Sequence, residues 1–303
     1  VRPTPVPRAT YRLQLHAGFG FAEAEAVVPY LADLGVSHLY LSPFLKARPG
    51  STHGYDIVDF AKFNPEIGDD AGLERLAAAC RGRGMGIVMD FVPNHMGIGG
   101  ADNEWWLDVL EWGEDSLYAD YFDIDWQPPR RELRGKVLLP FLGEHYGQAL
   151  EKGDLKPRFD AADGSISVWY WQHRLPVAVR DYAGLLEPAV AALGPSPDGD
   201  ALSDVAIDLR AAIDRSGRSA LARRRQGAEL KERLAAVAAT RPPVRAAIDS
   251  ALAGLAGDVA ALHRLLERQA YRISYWRVAA DEINYRRFFD RSRGCDFNQL
   301  KSL

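Results

Sequence analysis

The chain has 303 residues, 47% hydrophobic and 26% charged, which suits one large globular domain or two ordinary ones and excludes a chain too polar to build a core. A formal net charge of −4 gives no reason to expect nucleic acid or an anionic membrane as a partner. The two cysteines, Cys80 and Cys295, make neither a disulfide framework nor a metal cluster. Val1–Arg8 has no apolar leader, no run approaches a membrane span, and a reducing, cytoplasmic setting is the plain expectation.

After a Pro-rich arm at residues 1–9, Thr10-Tyr-Arg-Leu-Gln-Leu15 alternates polar and apolar and reads as a strand. A helical pattern follows from about Ala22 to Leu34, with Val27, Val28, Leu31 and Leu34 on one face. Pro29 lies inside it, so the helix either begins late or kinks there, and Gly35 ends it. His38-Leu-Tyr-Leu-Ser-Pro43 reads as a second strand, and Lys46 to Pro65 as a long loop. Asp69 or Asp70 can cap a second helix, whose buried stripe is Leu73, Leu76, Ala77 and Cys80. A third strand, Gly86-Ile-Val-Met-Asp-Phe-Val-Pro-Asn-His95, opens on a short apolar run of the kind a strand covered on both faces requires. Each helix is long enough for a right-handed crossover between parallel strands, so the first part of the chain is predicted to be parallel α/β.

From Gly97 the alternation stops. Residues 97–180 are dense in aromatics, among them Trp105, Trp106, Trp112, Tyr118, Trp126, Trp169 and Trp171. Most of these rings are expected to pack a small irregular subdomain, although such faces also suit the C–H faces of sugars. Residues 181–270 are rich in Ala, Leu and Arg, with helices expected at Ala201–Ile213, Ser219–Ala239, Val244–Leu255 and Asp258–Gln269. Gly194–Gly199 and Arg241-Pro-Pro243 are read as breakers, and Arg223-Arg-Arg225 as a solvated helix face. The predicted division is therefore 1–96, an inserted subdomain at 97–270, and a return toward the first architecture at 271–303.

Asp90, Asn94 and His95 gather at the far end of the third strand, where α/β folds keep their ligands. One such residue is ordinarily a polar exit turn; the three together point to a site. Asp90-Phe-Val-Pro-Asn-His95 resembles the first signature segment of the α-amylase family of glycoside-active enzymes, and His53-Gly-Tyr-Asp56 resembles that family's loop after the second barrel strand. Thr10–Leu15, Pro29-Tyr-Leu31, Leu39–Pro43, Gly50–Asp56 and Glu282-Ile-Asn-Tyr-Arg-Arg-Phe-Phe289 are similar, in order, to a trehalose-forming branch of the family.

The resemblance implies a TIM (β/α)8 barrel of α-amylase type, of which the first three strand units are present, interrupted after strand 3 by a large, mostly helical insertion. The implied chemistry is an isomerisation of maltooligosaccharides or another α-1,4-glucan, moving the reducing-end glucose from an α-1,4 to an α,α-1,1 bond. Such retaining chemistry uses a nucleophilic carboxylate and an acid/base carboxyl. The family places both in later strands, so they are expected downstream of Leu303. The chain accordingly reads as an amino-terminal part that is inactive alone; neither Asp290 nor Asp296 has the strand context of a nucleophile.

By the same resemblance His53, Tyr55, Asp90 and His95 are substrate-binding. Tyr55 is the platform under the sugar, His95 the ligand to its hydroxyls, and Asp90 the carboxylate that orients an arginine. Asp56 and Asn94 support the loops. Some relatives bind calcium at the Asn94 position, but no set of oxygen ligands surrounds it in the sequence, and no metal or cofactor is expected. The alternatives are another α-glucan hydrolase or transglycosylase of the family, or a non-catalytic remnant.

Overall fold

Eight elements follow one another in the first part of the chain: β1 (Thr10–Leu13), α1 (Phe21–Asp33), β2 (His38–Leu41), β3 (Leu45–Ala47), β4 (Ile57–Phe63), α2 (Asp70–Gly82), β5 (Gly86–Met89) and β6 (His95–Gly97). They come from a computed structural model that describes residues 6–212, 219–279, 282–286 and 297–299. Strands β1, β2 and β5 are parallel neighbours in that order, with Arg12 opposite Tyr40 and Tyr40 opposite Val88. Leu13, Leu39 and Leu41 join Phe21, Ala24, Val28 and Leu31 of α1 and Leu76 and Cys80 of α2 in one buried cluster. Because side chains alternate across a strand, Arg12 and Tyr40 project from the face that these helices do not cover.

Local chemistry sets the helix starts. The Gly20 N–H donates to Glu23 Oε2 (2.8 Å), and the Phe21 N–H donates to the Ile67 carbonyl (3.0 Å). A Cβ on Gly20 would lie 2.2 Å from that carbonyl oxygen, so only glycine allows the approach. Helix α1 then runs through Pro29, and the late start considered from the sequence is not found. Asp69 rather than Asp70 caps α2, its Oδ1 accepting from the Gly72 N–H (2.8 Å). Burial pushes the Cys80 thiol up to about 11, which leaves it an inert packing group.

The stretch 46–65, expected as a loop, instead contains an antiparallel pair, with Leu45 opposite Phe63 and Ala47 opposite Ile57. Buried Ile57 and Val58 make the pairing favourable, and 48–56 with 64–65 are left as loop.

The second part contains α3 (Glu104–Trp112), β7 (Val137–Leu142), α4 (Tyr146–Glu151), β8 (Lys156–Asp160), β9 (Ser165–Tyr170) and β10 (His173–Pro176). Helices α5 (Tyr182–Leu193), α6 (Pro197–Ala212), α7 (Ala220–Thr240), α8 (Pro242–Gly257) and α9 (Val259–Glu267) follow, then β11 (Tyr271–Tyr275). Strands β8, β9 and β10 form an antiparallel sheet with β9 central, and β7 pairs parallel with β11. The last strand, β12 (Phe297–Gln299), runs antiparallel to β6.

The chain divides into two compact units, one reaching Glu104 and including β12, the other running from Trp105 to Arg286. The division thus falls inside α3, later than the composition change at Gly97. The return expected at Tyr271 also lies further on. Strand β11 belongs to the second unit, and Asn284 ties its own segment there, donating to the Asp125 and Lys136 carbonyls and accepting from the Leu138 N–H.

Two expected breakers start helices instead. Pro197 and Pro242 sit in the first turns of α6 and α8, where a missing N–H costs nothing. The Arg223–Arg225 run is also not a solvated face: Arg224 forks onto Asp108 and Arg223 reaches Asp115 (2.5 Å), while only Arg225 is largely exposed. Residues 287–296 and 300–303, with Asp290 and Asp296, lie outside the described residues, as does Ile213. Among the described residues no helix is long and apolar enough to cross a membrane.

Candidate functional site

Loop 48–56 carries the first site residues. Gly54 has φ +76°, and a Cβ there would stand 2.2 Å from the Pro43 carbonyl oxygen, so this turn requires glycine. The Ser51 hydroxyl accepts from the Gly54 N–H (3.1 Å) and donates to Asp56 Oδ1, which turns Asp56 into its own loop. His53 Nδ1 accepts from the Tyr55 N–H (3.0 Å), and the two rings stack with 6.1 Å between centroids. With Nδ1 so engaged, the 3.9 Å approach of His53 to Asp56 is not a direct hydrogen bond.

Tyr55 is thereby aimed at the end of β5. Its hydroxyl donates to Asp90 Oδ2 at 2.5 Å, and the Tyr40 hydroxyl donates to the same oxygen at 3.0 Å. Arg12 Nη2 donates to the Tyr55 oxygen (3.2 Å) and lies 3.7 Å from Asp90 Oδ2, while Nη1 donates to Gln14 Oε1 (2.6 Å). The bond given to Asp90 raises the Tyr55 phenol above its ordinary value, since deprotonation would set two anions side by side. All these contacts fall on Oδ2. Asp90 is 9% exposed, so its carboxylate is held by charge and hydrogen bonds rather than by water.

His95 is 1% exposed, with Nε2 2.9 Å from the Tyr55 carbonyl oxygen and Nδ1 3.0 Å from the Asn94 amide. A carbonyl only accepts, so Nε2 carries the hydrogen. Burial is the largest influence on the ring and holds it below its ordinary value, against the opposing pull of the Tyr55 carbonyl and the Asp56 charge. The structure sets Asn94 Oδ1 against Nδ1; a neutral ring with its hydrogen on Nε2 can only accept there, which requires the Asn94 amide in its flipped orientation, NH2 toward the ring.

The structure therefore brings His53, Tyr55, Asp90 and His95 into one cluster at the carboxyl ends of β2 and β5, with Asp56 and Asn94 as internal partners. His95 Nε2 meets the Tyr55 backbone carbonyl. Sequence reasoning missed Arg12, Tyr40 and Ser51. The signal for the first two was the strand alternation itself, since they occupy the positions of β1 and β2 opposite the leucines. Among the described residues no three His, Cys, Asp or Glu side chains come together in a way that could hold a metal ion.

Comparisons with known proteins point first to a class. The α-amylase catalytic-domain family matches residues 26–156, and the fold is α/β of that barrel type. More narrowly, the likeness is to maltooligosyl trehalose synthase. A protein of that name from Mycobacterium tuberculosis is 48% identical over 161 residues, covering 48% of this chain and 20% of the relative. The solved maltooligosyltrehalose synthase of Arthrobacter ramosus superposes with a TM-score of 0.60 at 31% identity, covering 97% of this chain and 27% of that one. A second solved maltooligosyl trehalose synthase gives 0.62 at 27% identity, covering 97% and 28%. The chain thus spans about a fifth of the length of its first curated relatives and under a third of these structures.

Proposed function

We propose that the chain carries the glucan-holding part of a maltooligosyl trehalose synthase, an isomerase that acts within one maltooligosaccharide. In that reaction the last α-1,4 bond breaks and the released glucose takes the glycosyl group on its anomeric hydroxyl. An α,α-1,1 bond results and no water is consumed. The observation that carries the reading is the Tyr55–Asp90 bond at 2.5 Å, which fixes an aromatic face and a carboxylate in one place. Aromatic faces take the C–H side of a sugar, and a carboxylate takes its hydroxyls. Asp90 Oδ1 is the oxygen left for a ligand, and His95 acts by steadying the Tyr55 backbone.

Holding is not catalysis. Retaining transfer needs two carboxyls facing one bond, and here Asp90 is locked by Tyr40, Tyr55 and Arg12 while Asp56 is turned toward Ser51. We assign neither as nucleophile or acid/base. The chain is therefore expected to bind maltopentaose weakly without converting it. The assay follows loss of reducing ends alongside binding. Turnover by this chain, abolished by Asp90→Asn, would overturn the holding role; release of new reducing ends would favour a hydrolase of the same family.

A further inference from the structure

The tip of the β9–β10 hairpin holds a residue in a conformation its side chain disfavours. Trp171 has φ +51°, the one positive value among the described non-glycine residues. A two-residue hairpin turn with φ above zero at its first central position ordinarily has glycine there. For a bulky side chain this conformation is a genuine outlier. Nor is the ring compensated by burial, for Trp171 is 75% exposed. Neither packing nor turn chemistry accounts for a tryptophan at this position.

The sheet below the tip is built to hydrogen-bond. Register pairs set Asp160 opposite Ser165, Arg158 opposite Ser167, and Trp169 opposite both Lys156 and Arg174. These residues share the face opposite Phe159, Ile166 and Val168, which are buried. A groove of about 420 Å³ runs along this face, lined by Trp169 and by Arg245 of α8; Trp171, two residues beyond Trp169 at the hairpin tip, stands outside that lining. Ser165 and Ser167 are 6% and 3% exposed, and each hydroxyl accepts from Arg174 (2.6 and 3.1 Å); Ser165 gives its own proton to Asp163, while that of Ser167 is left to give. The Arg158 guanidinium lies 5.4 Å from the centre of the Trp169 ring.

Charge decides the ligand class. Arg174 has Asp163 at 3.5 Å and Arg245 has Asp249 at 3.7 Å, and Asp160 shares the face with Arg158 and Lys156, so nearly every cation there is already opposed by a carboxylate. An anion gains little from such a surface. A neutral, flat, polyhydroxylated molecule gains an aromatic platform with donors and acceptors beside it.

We propose that Trp171 and the outer face of β8–β9–β10 form a second carbohydrate site, separate from the Tyr55–Asp90 cluster, that takes glucose units of an α-1,4-glucan. The identity of the sugar rests on the proposed function; the class of ligand rests on the groove alone. The strained tryptophan is kept because its ring meets the ligand.

The test uses the whole chain, with maltopentaose affinity and thermal unfolding measured on the same samples. Trp171→Gly suits the backbone, so its melting temperature should stay or rise while affinity falls about tenfold. Trp171→Phe should keep most of the affinity, and Arg158→Ala should lose part of it. In a Tyr55→Ala background the residual binding should still depend on Trp171. Unchanged affinity in Trp171→Gly, with loss in Tyr55→Ala, would overturn this second site and leave the proposed function standing. Affinity lost to Trp171→Gly but untouched by Tyr55→Ala would do the reverse. Displacement of maltopentaose by inorganic phosphate at equal concentration would show an anion site and overturn the sugar assignment.

Discussion

The Tyr55 hydroxyl donates to Asp90 Oδ2 at 2.5 Å across a sequence separation of 35 residues, joining loop 48–56 to the end of β5. Tyr55→Phe keeps the ring and removes this bond. Asp90 would still accept from Tyr40 and keep Arg12 nearby, so the loss of stability should lie near the lower end of about 1.5–3 kcal/mol for a hydrogen bond to a charged group. Maltopentaose affinity should fall several-fold because the ring loses its anchor. Titration calorimetry together with urea unfolding checks both, and an unchanged affinity would separate the bond from the site.

A pH dependence follows from His95. Burial holds its folded value below the ordinary 6.5, so the fold favours the neutral ring. Above 6.5 neither folded nor unfolded imidazole carries the proton, and the contribution is fully present. As pH falls through 6.5 the unfolded ring is protonated first, and stability is lost until the folded value is also passed. Urea midpoints between about pH 7.5 and pH 5 should decline, and His95→Gln should remove part of that slope. An identical slope in the variant would mean another group titrates.

The strand–helix alternation was legible because apolar spacing decides which face of each helix is buried, and Leu76 and Cys80 fell on that stripe as read. The polar cluster was legible because strand ends in α/β folds gather ligands, and motif likeness supplied loop 48–56. Arg12 and Tyr40 were legible only as members of one alternating face, since the alternation of Thr10–Leu15 and His38–Leu41 does not say which side the helices will cover. The Arg223–Arg225 run misled for a related reason: Asp108 and Asp115 lie more than 100 residues earlier, and nothing local announces them. Strand β3 has only three residues and pairs with β4 across an intervening loop through register shifts, so neither carried a clean alternation. Pro197 and Pro242 read as breaks in the sequence because the same residue both ends helices and opens them.

Gly54→Ala should damage the site without touching a ligand contact. Alanine pays for φ +76° and also meets the Pro43 carbonyl oxygen, a backbone atom that cannot swing aside. A cost of about 2 kcal/mol or more is expected, with the loop moving to relieve it. Tyr55 is the next residue, so maltopentaose affinity should drop at least as far as in Tyr55→Phe. Gly50→Ala is the control. It too has positive φ, but nothing lies within 4 Å of its added Cβ, and its effect should be smaller.

In the second unit, Arg224 and Asp108 form a forked pair whose side chains are 13% and 17% exposed, with the guanidinium 5.4 Å from the centre of the Trp112 ring. Taking two charges out of water is expensive, and their attraction returns the cost only while both are present. Arg224→Ala strands a carboxylate whose remaining partner is the Ser116 hydroxyl. It should lower stability by roughly 3–5 kcal/mol, most of it the penalty of the unpaired charge. Arg224→Lys keeps the charge but not the fork and should fall between. The double change Arg224→Met with Asp108→Leu removes both charges and keeps apolar volume, so it should recover most of the loss. If the double variant is as unstable as Arg224→Ala, the lost fork itself and not the stranded carboxylate is the cause. Urea unfolding of the wild type, Arg224→Met, Asp108→Leu and their double variant closes a double-mutant cycle and, set beside Arg224→Ala, distinguishes the two.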